Sequence, residues 1–269
     1  MNLSTGLSCL KRAKNNPGVL AAFVLLLVLA GAGALTIRET TRFGSGLGDD
    51  SFLYMSAAEG ISSFAGFSRW TGDGTFRPIT NFPPLYSFAL AVTEWIGLGM
   101  HAGVRLLGGV GFGLTILLSG LAILYETRSL GASILAGSLV LASPTLIHQF
   151  SWALSESLFI PLSLATLIAM LVQVRSGNLR HWWAVGVLSG LALLTRYAAA
   201  SLVAALGLIS LFNRAVPFRQ RLRRIAVYLS LSLLPLAIFL ARNQLLTGNL
   251  ANRPFPLWNP PSIEPIQVA

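Results

Sequence analysis

The chain has little of what most folds use for cross-links and counter-charges. Cys9 is its one cysteine, so neither an internal disulfide nor a thiolate metal cage can form within it. Acidic residues number 9 against 19 basic ones, and all charged residues together make up 10% of the chain. That share is too small to clothe a water-soluble domain of 269 residues. Internal repeats, heptad arrays and low-complexity tracts are also missing, which excludes solenoid and coiled-coil architectures.

Apolar residues fill the space: 54% of the chain is hydrophobic and its mean hydropathy is +0.70, so a bilayer is the expected solvent. The net charge of +10 would suggest nucleic acid in a soluble protein. Here the arginines sit in short loops between apolar runs, the pattern of charge held on the cytoplasmic face, so membrane lipid is expected as a partner and nucleic acid is not.

A spanning helix needs ~20 apolar residues. Residues 18–37 supply such a run just after Lys11, Arg12 and Lys14, too long for a signal-peptide core and followed by further apolar segments. Further helices are expected at 105–124, 131–148, 156–174, 183–197, 199–213 and 225–241. The stretch 84–100 opens on Pro83-Pro84 and carries Glu94 inside it, which is costly against lipid. If it lies flat on the outer face, the loops with Arg128, with Arg175 and Arg180, and with Arg214, Arg219, Arg221, Arg223 and Arg224 all fall inside. Glu39, Asp49, Asp50, Glu59, Asp73, Glu94 and Glu156 then fall outside, while Glu126 stays with the inner loops. The expected fold is therefore an all-α, polytopic bundle of about seven spans. Its parts are a basic cytoplasmic amino terminus (1–17), a first span (18–37), an external loop with juxtamembrane helices (38–104), a six-helix bundle (105–241) and a Pro-rich external tail (242–269). Within the loop, Ser51 to Ile61 is expected to be helical from Asp50, with Phe52, Met55 and Ile61 on its apolar face.

Asp49-Asp50 stands where a helix amino terminus favours carboxylates, a placement that suits a helix cap as well as catalysis. Glu156 opens an otherwise apolar helix on the same side, which makes it a functional candidate. Together these acids suit a base, or a divalent-metal pair formed by Asp50 and Glu156. Arg196 and Arg242 close outward-running helices at headgroup depth, where a guanidinium either snorkels to lipid or binds a lipid-linked phosphate; Arg77 is a third such candidate. His148 reads as an interfacial polar residue, and Trp152, Trp182 and Trp183 as interface anchors.

Seven motifs in order carry a resemblance. They are Asp49-Asp50-Ser51-Phe52-Leu53-Tyr54, Asn81-Phe82-Pro83-Pro84-Leu85-Tyr86, Val104-Arg105-Leu106-Leu107, Ser143-Pro144, Leu154-Ser155-Glu156-Ser157, Gly190 to Arg196, and Arg242 to Gly248. In this order they resemble polytopic membrane glycosyltransferases related to protein O-mannosyltransferases and to the enzymes that move aminoarabinose onto lipid A. The resemblance implies a polyprenyl-phosphate sugar donor, used on the side of the membrane away from the cytoplasm. It further implies a base in the first external loop, Asp50 before Asp49, a second acidic site at Glu156 that in some members holds a divalent metal, and a substrate loop with Tyr54 and Tyr86. Donor phosphate would fall to Arg196, Arg242 and Arg77, since Phe82 stands where some relatives have lysine. Such relatives carry more helices, so the chain is expected to be a fragment or a member reduced to its catalytic half. A bacterial inner membrane is the expected location. The rival expectations are a lipid or solute transporter and an inactive accessory homologue.

Overall fold

The computed structural model describes residues 17–176, 179–213 and 216–251. The basic cluster Lys11, Arg12 and Lys14, Cys9, Arg214 and the tail from residue 252 lie outside the described residues, as does the side chain of Arg180. Within them the chain is helical, in ten helices and one small hairpin. In chain order these are α1 (Pro17–Thr40), α2 (Asp49–Ser62), β1 (Ser68–Trp70), β2 (Phe76–Pro78), α3 (Leu85–Trp95), α4 (Met100–Thr127) and α5 (Leu130–Leu141). They are followed by α6 (Pro144–Ser151), α7 (Glu156–Ser176), α8 (Leu179–Thr195), α9 (Ala199–Phe212) and α10 (Phe218–Thr247).

α1 shows why the bilayer is the solvent. Only a narrow stripe, Ala22, Leu26, Gly33 and Ile37, packs inward, while Leu20, Val24, Leu27, Val28 and Leu35 on its other faces are exposed. A helix that is apolar all round with one inward stripe suits lipid and not water. α1, α4, α7 and α10 are each long and apolar enough to cross a membrane, and α5 with α6 makes a fifth candidate as one bent span. α8 and α9 are apolar but shorter. α3 has 11 residues, or roughly 16 Å of helix at 1.5 Å per residue, half of a bilayer core.

The single helix expected at 131–148 is broken: α5 and α6 meet at an angle of 56°. Pro144 has no N–H to continue the ladder and its ring clashes with the preceding turn, so it opens a new helix at its first position. Ser143 caps that helix, its hydroxyl accepting from Leu146 N at 3.4 Å. Arg128, in the left-handed region at φ 58°, closes α4 before the turn into α5.

Lipid tails are as apolar as leucine, so helix pairing here rests on close packing. Gly109 and Gly113 of α4 face the backbone of Ala34 and Ala30 of α1, and a Cβ on Gly113 would sit 2.9 Å from the Ala30 carbonyl oxygen. Gly186 and Gly190 of α8 do the same against α10, where a Cβ on Gly190 would lie 2.8 Å from the Leu231 carbonyl oxygen. Both are small-xxx-small seams, which let backbones approach. Ser232 adds a hydrogen bond to the second seam, donating to Gly186 O at 3.3 Å.

The segment between α1 and α4 folds as a cap on one end of this bundle. Its core is aromatic: Tyr54, Phe67, Phe82 and Tyr86 are buried together with Phe239 of α10. α2 turns Tyr54, Ala57 and Ala58 inward; of the expected face, Met55 and Ile61 are half-buried against the edge of this core, while Phe52 is exposed. The inward face matches its neighbours in shape, with Phe82 at 4.3 Å and Tyr86 at 5.2 Å from the Tyr54 ring. The antiparallel hairpin of β1 and β2, with Arg69 opposite Arg77, went unforeseen. Its strands are three residues each and carry no periodic signal; Asp73 stabilises the turn by accepting from Thr71 Oγ1 and Thr75 Oγ1, both at 2.6 Å.

Substituting Gly190 with leucine should force α8 from α10 and destabilise the protein by about 2 kcal/mol or more, as overpacking does. Thermal unfolding in detergent reads this, with the exposed Gly131→Ala as the control; an unchanged midpoint for the leucine variant would contradict the seam.

Candidate active site

Two helix starts are brought side by side by a short backbone link. Gly46 donates its N–H to Ser151 O at 3.0 Å and its carbonyl accepts from Ala153 N at 3.0 Å, a parallel bridge between the approach to α2 and the approach to α7. Only glycine fits at residue 46, because a Cβ there would press into the Trp152 indole. Trp152, expected as a lipid anchor, covers this link and contacts the His148 ring at 4.9 Å. On the other side, carbonyl oxygens of Phe150 and Ser157 rest on Gly108 and Gly111 of α4.

The aspartates are not the cap of α2. Gly48 holds that position, its N–H donating to Ser51 Oγ at 3.0 Å, and Asp49 and Asp50 occupy the first turn, where the helix dipole favours their charge. Helical spacing separates the pair. Asp50 is four residues before Tyr54 and shares its face, whereas Asp49 shares the face of Phe52 and Ser56. Both carboxylates are exposed.

From Tyr54 a chain of polar contacts runs into the bundle. Its hydroxyl and Ser155 Oγ are 3.1 Å apart, Arg196 Nη1 donates to Ser155 Oγ at 3.4 Å, and the same nitrogen forms an ion pair with Glu156 Oε1. Glu156 is the first residue of α7 and Arg196 follows the last residue of α8, so the bundle's packing sets this pair. Glu156 Oε2 is shielded from solvent and finds no hydrogen-bond partner among the described residues. Burial pushes the Tyr54 hydroxyl above its ordinary value; the Ser155 hydrogen bond and the Arg196 guanidinium pull it down, and the Asp50 and Glu156 carboxylates push it up. Asp50, Glu156 and Arg196 therefore all act on one hydroxyl at the cap end. Tyr86, fully buried beside Tyr54, is pushed well above the tyrosine range by burial, against the pull of the nearby Ser157 hydroxyl.

The other two arginines lie elsewhere. Arg242 binds the cap: Nη2 donates to Phe67 O at 2.8 Å and Nη1 to Ile79 O at 3.1 Å, with the guanidinium 5.7 and 6.0 Å from the ring centroids of Phe67 and Phe239. Arg77 is exposed on the hairpin and pairs with Asp73 at 3.7 Å. Arg105 holds the end of α1, donating from Nη2 to Arg38 O at 3.2 Å and from Nε to Thr41 Oγ1 at 3.3 Å. Ser155 had no role in the sequence reading; its only signal was its place directly before Glu156. An open groove of about 420 Å³ lies along the other face of α2, lined by Phe52, Met55, Ser56, Glu59, Ser62, Glu94 and Met100, and none of the expected site residues borders it.

A hard divalent cation gathers about six or more oxygen ligands. The described residues contain no group of three or more His, Cys, Asp or Glu able to hold a metal, and one oxygen of Glu156 is already in the Arg196 ion pair. Asp50 with the remaining Glu156 oxygen is a poor fit to a resident ion.

No family model, curated protein or solved structure matches this chain.

Two expectations test this geometry. Both tyrosines favour the neutral phenol, so their contribution to stability is intact below the ordinary tyrosine value of about 10 and is lost as pH rises through the shifted values. Stability measured against pH should fall on the alkaline side, and Tyr54→Phe with Tyr86→Phe should flatten that fall. Arg242→Ala should loosen the hairpin, raising amide exchange across 67–79; unaltered exchange there would show that Arg242 is no clamp.

Proposed function

We propose that the protein is a membrane-embedded glycosyltransferase that moves a sugar from a polyprenyl-phosphate donor to an acceptor on the cap side, with Asp50 as the base. The observation that carries this reading is the gathering of Asp50, Tyr54, Glu156 and Arg196 at one end of an apolar bundle. A lipid-borne headgroup reaches that depth, and an exposed carboxylate there is open to an acceptor.

In the proposed reaction Asp50 takes the proton of an acceptor hydroxyl or amine as that atom bonds to the anomeric carbon. The bond from the anomeric carbon to the phosphate oxygen breaks, its electron pair stays on the departing polyprenyl phosphate, and one displacement inverts the centre. Arg196 is the arginine best situated to stabilise that phosphate, since it is held by Glu156 and Ser155 on the same polar chain as Tyr54, whereas Arg242 clamps the cap and Arg77 lies out on the hairpin. Glu156 fixes the Arg196 guanidinium and offers Oε2 to a substrate hydroxyl.

The same reading takes α1, α4, the α5–α6 pair, α7, α8, α9 and α10 as seven spans in a bacterial inner membrane. Arg128, Arg175, Arg219, Arg221, Arg223 and Arg224 gather at the end away from the cap, which supports a cytoplasmic amino terminus under the positive-inside rule.

Asp50→Asn should lower transfer in purified membranes by about a hundredfold or more, with the unfolding midpoint unchanged, while Asp49→Asn should retain most activity. Release of polyprenyl phosphate from a labelled polyprenyl-phosphate sugar is the readout. Label crossing sealed vesicles without release would instead show a transporter, and neither signal would leave an accessory protein.

A further inference from the structure

The burial of α3 is the reverse of that of a helix that meets water. Its inward residues include Ser87 and Thr93, while the residues it exposes, Phe88, Val92 and Trp95, are all apolar and stand at i, i+4 and i+7 on one face. Ile96 and Leu98 extend this exposed strip past the helix end. Leu106, Val110 and Leu114 are exposed at four-residue steps along the next helix, α4, which is long and apolar enough to cross a membrane. An outward apolar strip on a helix too short to cross, joined to one that can, suits the boundary of the leaflet on the cap side.

Trp95 marks headgroup depth on that strip. Its Nε1 donates to Ser62 O at 3.1 Å, Phe64 stacks on it with ring centroids 6.0 Å apart, and Phe88 meets it edge-on at 6.0 Å. Phe64 holds φ at 62°, an unfavourable conformation for a bulky side chain, and is 87% exposed, so its ring is held outward at a local cost. Glu94, beside Trp95, borders the groove along α2 of about 420 Å³, and so does Glu59. That volume falls in the range of roughly 300–1,000 Å³ usual for small-ligand sites. The charged groups on its walls are both carboxylates; Phe52, Met55 and Met100 form its apolar lining, and Ser56 adds a hydroxyl. The complementary ligand is a cation, and a primary ammonium brings three N–H donors to the two carboxylates. The depth of Trp95 selects a cation carried by lipid.

We propose that this groove binds the headgroup of an aminophospholipid of the phosphatidylethanolamine class, its ammonium donating to Glu59 and Glu94 and its acyl chains lying along Trp95 and Leu98. Ser56 is placed to donate to the lipid phosphate. The site uses neither Asp50 nor Arg196 and does not depend on the sugar-transfer reading. A lipid held there braces α2 against α3 and sets the height of the cap on the leaflet.

The test uses the full chain in detergent, residues 252–269 included, with native mass spectrometry and thermal unfolding. The added ligands are phosphatidylethanolamine, phosphatidylcholine and phosphatidylglycerol of the same chain length, and a soluble lysine-leucine peptide. Phosphatidylethanolamine should be retained and raise the unfolding midpoint; choline has no N–H to donate and glycerol no positive charge, so the other lipids should do neither, nor should the peptide. The E59Q/E94Q double variant should weaken retention on the order of tenfold, while Glu39→Gln, outside the groove, should change it by less than about twofold. Glu59→Gln alone, at an exposed side chain, serves if the double variant folds poorly, and should give part of the loss. Equal retention of phosphatidylcholine or phosphatidylglycerol, tighter binding of the peptide than of the lipid, or equal losses from the groove and control variants would each overturn the proposal.

Discussion

The cap end of this protein depends on the Gly46–Trp152 link. Outside a helix, backbone groups that are kept from water must find partners. Here the approach to α2 satisfies itself on the approach to α7, through Gly46 N to Ser151 O and Ala153 N to Gly46 O. One bridge thereby registers two helix starts, and each start delivers a carboxylate, Asp50 from one and Glu156 from the other. The Trp152 indole lies over the link and admits only glycine beneath it. The remaining polar contacts, from Tyr54 through Ser155 to Arg196, follow from that register.

The Glu156–Arg196 pair is energetically an awkward choice for structure alone. Both groups are largely withdrawn from water, with side-chain exposures of 18% and 35%, and desolvation offsets much of the attraction in such pairs. One glutamate oxygen is also left without a partner among the described residues, which adds a cost of ~1–3 kcal/mol or more for a charged group. A half-satisfied polar network in an apolar bundle is an expensive way to hold two helices, and the Gly186–Gly190 seam holds α8 by packing without that cost. Arg242 makes the contrast plain: its guanidinium binds two carbonyls and stacks on two rings, and it holds the cap.

Much of the architecture was legible along the chain. The runs from residue 18, from 105, from 156 and from 225 became α1, α4, α7 and α10, and the weak stretch near residue 84 became a helix too short to cross. The break at Pro144 was visible as a motif but not as a bend, because the two helices together are apolar enough to read as one span while the missing N–H interrupts the ladder. The hairpin escaped notice because two three-residue strands have no period to read.

By itself the sequence determined the solvent and the long helices, because hydropathy adds up locally along the chain. Tertiary structure alone decided that the Tyr54 hydroxyl lies beside Ser155, and that Arg196 meets Glu156. It likewise decided that Arg242 reaches carbonyls 163 and 175 positions away in the chain, and that Trp152 guards a backbone link. A guanidinium has the same local sequence signature whether it meets a carboxylate, a carbonyl or a phosphate. The helix packing around it chooses the partner.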